Sequence, residues 1–202
     1  MTEKAVRQPG AGRARTRLDT ERRREQLLRV GVQLFAERPY EEVWIEQVAE
    51  LANVSRGLLY HYFPTKRDFF LAVVRREGER ILAMTDADPG LPTDQRLMAG
   101  LDVYLLFAEE HSQGYRAFHR AMATGDPEIR AIYQELLDAQ AARIVAALEH
   151  VPCPRPDALR LAVRGWLSFV TTVCLDWLET RRLTRDDVRD LCARALLGAV
   201  GG

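Results

Sequence analysis

The sequence has no net charge: 29 lysines and arginines stand against 29 aspartates and glutamates. That excludes a globally basic coat for nucleic acid and a strongly acidic disordered chain. Cysteine is scarce. Cys153, Cys174 and Cys192 are far apart and odd in number, which argues against a disulfide framework or a CxxC zinc site and for a reducing compartment. Long apolar runs are missing. The longest uncharged run in the apolar part covers residues 165–175, eleven residues between Arg164 and Asp176, where a bilayer span needs about 20. The N-terminus is polar and Arg-rich, without the apolar segment of a secretory signal. The expectation is a cytoplasmic protein with no membrane partner. Strand signals are absent as well: there is no sustained alternation and no Asn-Gly or Asp-Gly turn. Nor is there a GxSxG, a GxxxxGK[ST] or an HExxH. No catalytic residue and no cofactor is therefore expected. His111 and His119 lack a carboxylate pair or cysteine on their face, so no metal site is expected either.

What is present is ordinary globular composition, 47% hydrophobic and 29% charged, in 202 residues. The neutral total is a cancellation. Residues 1–80 carry 16 basic and 12 acidic residues, and residues 81–202 carry 13 and 17. Within the first part, residues 1–24 hold eight Lys/Arg against three acids, and residues 51–67 hold Arg56, Lys66 and Arg67 with no acid. Two basic patches separated by an acidic stretch suggest a local anion-binding face. A basic tail with chance clustering fits the same counts.

Residues 1–17, with Pro9, Gly10 and Gly12, read as a flexible basic arm. Helical period then dominates. The first helix is predicted over 19–37, with Leu27, Leu34 and Phe35 on one face, Gly31 at a close helix crossing, and Pro39 as the stop. Short helices follow over 45–51 and from Ser55 to Tyr62. The box Thr65-Lys66-Arg67-Asp68 opens a helix to Met84. Pro89, Gly90 and Pro92 mark a linker, the best domain boundary by local composition. Further helices are predicted over 93–110, capped by Thr93, then 113–123, 127–150 behind an Asp126 cap, and 157–180 after a loop over 151–156. A second box, Thr184 to Asp187, opens the last helix, to Val200. The expectation is an all-α chain of about nine helices. It divides into an arm (1–17), a three-helix domain (18–64) and a second helical domain (65–202).

The stretch from Val48 to Tyr60 has helix-turn-helix logic. Ala49 is small enough for a close crossing, and Val48, Val54 and Leu59 fill the wedge. Asn53 tolerates the left-handed backbone of a tight turn. The second helix projects Arg56, Gly57, Leu58, Tyr60 and His61 outward, toward base edges if it enters a major groove. An ordinary helical hairpin would share the pattern. The wider set is more specific: Leu34-Phe35, Val48-Ala49, Asn53-Val54-Ser55, Gly57, Leu59-Tyr60-His61-Tyr62-Phe63-Pro64, Lys66, Asp68 and Phe69. In order and spacing, residues 24–70 resemble the DNA-binding domain of the TetR (tetracycline repressor) family of transcriptional regulators. Three positions depart from the family pattern. Asn53 stands where Gly is common, Trp44 where a capping Ser or Thr is common, and Leu58 where Thr or Ser is frequent.

Chemistry and the resemblance together imply roles. Arg56 suits a bidentate guanine contact, with a phosphate as its alternative. Ser55, Tyr60 and His61 suit phosphate or sugar. Lys66, at a helix N-terminus, suits a phosphate, and Leu58 a thymine methyl. Trp44 either lies on the sugar-phosphate backbone or packs inward. Arg13, Arg15 and Arg17 add salt-dependent affinity or enter a minor groove. Tyr62 and Phe63 are expected in the core.

The resemblance further implies that residues 18–64 are a helix-turn-helix DNA-binding domain and residues 65–202 an effector-binding and dimerisation domain, giving a homodimer on a palindromic operator, built on the last two helices. Val170, Cys174 and Trp177 on one, with Leu191, Ala195 and Ala199 on the other, are the interface candidates; intrachain core is the alternative. A small-molecule effector, apolar or aromatic, is expected among Tyr104, Phe107, His111, Tyr115, Phe118, His119, Met122 and Tyr133, with Trp166 and Phe169. The implied function is a repressor released from its operator by that effector. A helical protein-interaction module, or a DNA-binding regulator without an effector, is the competing expectation.

Overall fold

The computed structural model describes residues 10–123, 126–148 and 156–200. They form nine α-helices and one short 3-10 turn, with no strand among the described residues. The helices are α1 (Gly10–Glu37), α2 (Ile45–Leu51), α3 (Arg56–Tyr62), α4 (Lys66–Met84), α5 (Thr93–Glu110), α6 (Ser112–Ala123), α7 (Pro127–Ala147), α8 (Pro156–Thr180) and α9 (Arg185–Val200). The 3-10 turn, Tyr40–Glu42, follows Pro39, which cannot continue α1.

The chain forms two compact units that meet in sequence at Val73 and Val74, inside α4. The division falls neither at residue 64 nor at Pro89–Pro92, whose prolines punctuate a loop of the second unit. The arm expected over 1–17 is helical from Gly10 onward; its arginines and alanines are good helix formers. Residues 1–9 lie outside the described residues, as do most of the expected 151–156 loop and Cys153. Thr93 does not cap α5. Pro92 holds the N-cap position without a side-chain bond, so Thr93 is the first helical residue.

In the first unit the core is Leu27, Leu28, Leu34, Phe35, Val48, Leu59, Phe63 and Phe69, all buried. Gly31 permits the close crossing its sequence position suggests. A Cβ there would lie 2.5 Å from Phe69 Cζ and 2.7 Å from Val73 Cγ2. Aromatic rings fill the remaining space, with Phe35 edge-on to Phe70 at 4.8 Å and Phe63 edge-on to Phe69 at 5.0 Å. The Thr65–Asp68 box is formed: Thr65 N–H donates to Asp68 Oδ2 at 3.1 Å, and Asp68 N–H to Thr65 Oγ1 at 3.0 Å.

The second unit packs α8 against α5, α7 and α9, around Leu105, Ala108, Val163, Trp166, Cys174, Val188, Cys192 and Leu196. The eleven-residue uncharged run is the middle of α8. By length and composition alone that helix could cross a membrane. Its apolar stripe at i, i+3 and i+4 is instead the inner face of this bundle. Val170, Cys174 and Trp177 belong to that stripe and are 4%, 0% and 4% exposed. They are core, not dimer interface: their apolar stripe already faces the interior of their own chain, which leaves little of it for a second copy. Arg189 on α9 pairs with Asp102 on α5 at 3.1 Å, and Arg181 pairs with Glu109 at 2.6 Å. The second box also forms, with Thr184 N–H donating to Asp187 Oδ2 at 3.0 Å.

Candidate nucleic-acid interface and buried polar cluster

The helix-turn-helix is built as its residues demand. α2 ends at Leu51, and Asn53 takes φ 52°, the left-handed conformation that lets the chain turn back. Gln26 of α1 clasps the turn, its Nε2 donating to the Ala52 carbonyl at 2.9 Å. Ser55 then caps α3: the Leu58 N–H donates to Ser55 Oγ at 3.2 Å. Trp44 occupies the N-cap of α2, where indole offers no acceptor. Half of a capping box survives, because Trp44 N–H donates to Gln47 Oε1 at 3.4 Å.

α3 has one inner and one outer side. Leu59 is fully buried, whereas Arg56, Gly57, Tyr60 and His61 are exposed and Leu58 and Tyr62 are half-buried. At a period of 3.6, residues 56, 57, 60 and 61 share the outer face. Nothing lies within 4 Å of where a Gly57 Cβ would stand, so that face is open. Trp44 is 69% exposed and does not pack inward. Lys66 is half-buried. Its Nζ donates to the Glu41 carbonyl at 3.2 Å and sits 4.5 Å over the Tyr40 ring. The structure thus engages it with the 3-10 turn, by a cation–π contact that sequence spacing cannot reveal. Tyr60 is likewise engaged: its hydroxyl donates to Glu46 Oε1 at 2.9 Å. Arg13, Arg15 and Arg17 ride on the helical backbone of α1, and their side chains lie outside the described residues.

The second unit gathers part of the aromatic set. Tyr115 and His119 lie 4.5 Å apart between ring centroids, Phe118 and His119 5.1 Å, and Tyr133 stands 6.2 Å from both Phe118 and His119. The Tyr104 and Tyr115 hydroxyls are hydrogen-bonded to each other, with Thr171 beside Tyr104 and Cys174 beside Tyr115. Burial pushes both phenols well above their usual range and the Cys174 thiol up to about 12. Burial also pushes His119 down to about 4, so its imidazole is neutral at pH 7. Thr171 and Cys174 were not legible as partners of these phenols, because they come from a helix far away in sequence.

Other pocket candidates go elsewhere. His111 is exposed at the C-cap of α5, stacked on Phe107 at 4.5 Å with its Nδ1 3.0 Å from the Phe107 carbonyl. Phe107 is buried with Arg80 above its ring at 5.0 Å. Trp166 donates its indole N–H to the Cys192 carbonyl at 2.7 Å, tying α8 to α9. Phe169 faces outward. Met122 is half-buried. On α8 and α9 the outward residues include Leu161, Gly165, Phe169, Leu191, Ala195, Gly198 and Ala199. The α9 candidates therefore remain surface residues, while those named on α8 do not.

Comparison with known proteins decides the family. Residues 27–73 match the model described as bacterial regulatory proteins, tetR family, and residues 93–198 match that described as tetracyclin repressor-like, C-terminal domain. The chain belongs to the TetR family of transcriptional regulators. It is similar to the transcriptional repressor KstR of Mycobacterium tuberculosis, 33% identical over 191 residues, covering 87% of this chain and 81% of that protein. It also resembles the transcriptional activator FasR of Mycolicibacterium smegmatis, 32% identical over 124 residues; the match spans 60% of this chain and 57% of FasR. Among solved structures, a TetR-family regulator from Streptomyces coelicolor superposes with TM-score 0.78 at 30% identity, over 89% of this chain and 80% of that one. As a TetR-family member the chain is a DNA-binding transcriptional regulator, and its helix-turn-helix lies wholly within the first matched segment.

Proposed function

We propose that this regulator is a repressor that binds a two-fold operator as a homodimer in the cytoplasm and is released by an uncharged small molecule. The open outer face of α3, with Arg56, Gly57, Tyr60 and His61 exposed beside an inward Leu59, is the observation that carries the reading. Repression is favoured over activation because the match to a repressor extends over most of the chain. The outward small and apolar residues of α8 and α9 suit a second copy, since short side chains let helices approach closely. Phe169→Asp with Leu191→Asp should shift the chain to monomer by sedimentation, and Val170→Ala should lower stability without dissociation.

The cluster of Tyr104, Tyr115, His119 and Tyr133 supports an uncharged ligand with a polar group. Its four named side chains bring aromatic rings, hydroxyls and a neutral imidazole together, with no carboxylate or guanidinium among them. α7 is the natural relay to α4. Tyr133 belongs to the cluster. On the same helix Glu135 pairs with Arg75 at 3.0 Å, and Leu136 fills the space a Gly78 side chain would need. Arg143, also on α7, donates to the Leu82 carbonyl at the end of α4 and to Thr85 Oγ1 at 2.7 Å. A ligand that favours one placement of α7 then shifts α4 by its differential affinity. The test is operator affinity at fixed salt, screened against uncharged aromatic and apolar compounds. Release by a compound that fails on the Tyr133→Ala variant supports the reading. Release that persists in that variant contradicts the assigned site.

A further inference from the structure

The bond between Tyr60 and Glu46 links the two helices of the motif and changes what Tyr60 can offer to DNA. A phenol hydroxyl has one proton and two lone pairs. Here the proton points at Glu46 Oε1, 2.9 Å away. What remains on Tyr60 is lone pairs, and the carboxylate has only lone pairs. The pair is an acceptor without a donor. Phosphate oxygens are also acceptors, and they carry the same sign of charge as Glu46. A backbone contact is therefore closed to the pair as it stands. In the major groove the DNA donors are the exocyclic amino groups, N4 of cytosine and N6 of adenine.

We infer that Glu46 and Tyr60 form one base-reading unit that accepts from an amino group of cytosine or adenine. Glu46 is then a specificity-determining residue on α2, and Tyr60 leaves the phosphate role its residue type suggests. Three further facts support this. Tyr60 stands on the outer face of α3 with Arg56 and Gly57. Glu46 stays ionised at neutral pH: its own backbone N–H at the head of α2, the Tyr60 hydroxyl and the Arg56 charge hold its carboxyl below the usual range. The same hydrogen bond raises Tyr60, so the phenol keeps its proton. Arg56, which only donates, complements the pair by suiting guanine O6 and N7. The reading face then combines a donor and an acceptor of opposite preference. The inference rests on α3 being the element that enters the groove.

The experiment uses the full-length chain and duplexes it selects from a random pool. Affinity is followed by fluorescence anisotropy from about 50 to 200 mM salt. At one selected position cytosine or adenine should be required. Exchanging C·G for T·A there, which replaces the amino group with a carbonyl, should weaken binding roughly 5- to 150-fold. Tyr60→Phe and Glu46→Ala should each erase that preference and leave the salt dependence unchanged. The inference is overturned if Tyr60→Phe weakens all sequences alike and lowers the salt slope by about 1, the mark of a phosphate donor. It is equally overturned if Glu46→Ala tightens every sequence alike with the preference intact. Arg56→Ala runs beside them. Should it also leave every base preference untouched, the assignment of α3 as reader fails; should it alone remove one, only the pair is refuted.

Discussion

Two tyrosine hydroxyls, one in each unit, show how differently the halves of this regulator use the same group. Tyr60 is exposed and donates to an ionised carboxylate. Tyr104 is half-buried and hydrogen-bonded to the buried Tyr115, with neutral neighbours, and desolvation is the main cause of its raised value. The first arrangement suits a surface that meets charged, hydrated DNA, where the ionised partner orients the hydroxyl at little desolvation cost. The second suits an enclosed site, where a charge would be costly and polarity is supplied by dipoles. The reading unit is therefore polar outside and apolar inside. The second unit keeps its polar tips within.

The strongest way to break the contrast is to empty the first core. Phe69→Ala should cost about 3–5 kcal/mol, abolishing DNA binding in urea-titrated samples. The emission of Trp166 and Trp177, both buried in the second unit, should keep its own unfolding midpoint. A common shift of both transitions would mean the units do not stabilise separately.

A pH titration separates the two units next. Unfolded, the His119 imidazole takes its proton near 6.5; folded, near 4. Between those values the unfolded chain binds the extra proton, so stability falls as pH drops from 6.5 toward 4, by up to about 3 kcal/mol. Urea midpoints against pH should show this slope, and His119→Phe should flatten it. Arg56→Ala comes next, with an expected loss of about 1–3 kcal/mol of base discrimination and no change in the urea midpoint. Thr65→Ala and Thr184→Ala are the smallest, about 1 kcal/mol each, from the two capping boxes. Thermal melts that moved for only one of them would sharpen the difference between the units.

The first unit was largely legible in the sequence because its signals are local. Asn53, Ser55, Gly31 and the Thr65–Asp68 box each act within a turn or at one crossing, and each stands as its residue type demands. The neutral total charge also proved local in origin, with Arg56 on the open face of α3. What the sequence could not reveal involved partners distant in the chain. Tyr60 faces Glu46 fourteen positions away. Tyr115 meets Cys174, and Arg143 holds the end of α4. The stripe of Val170, Cys174 and Trp177 misled because periodicity identifies a helix's apolar face without saying whose surface it meets. Trp44 was the reverse case: a large apolar residue that the packing leaves outside.

In the proposed mode of binding the outer face of α3 reads base sequence, once per subunit, on a two-fold site. A footprint of the full-length chain on DNA selected from a random pool tests it most directly. Two protected half-sites are expected, related by a two-fold axis and about 34–36 Å apart or a multiple of that, with the protein concentration needed for protection raised roughly 5- to 150-fold by Arg56→Ala. Continuous protection independent of sequence, unaltered by Arg56→Ala, would contradict it.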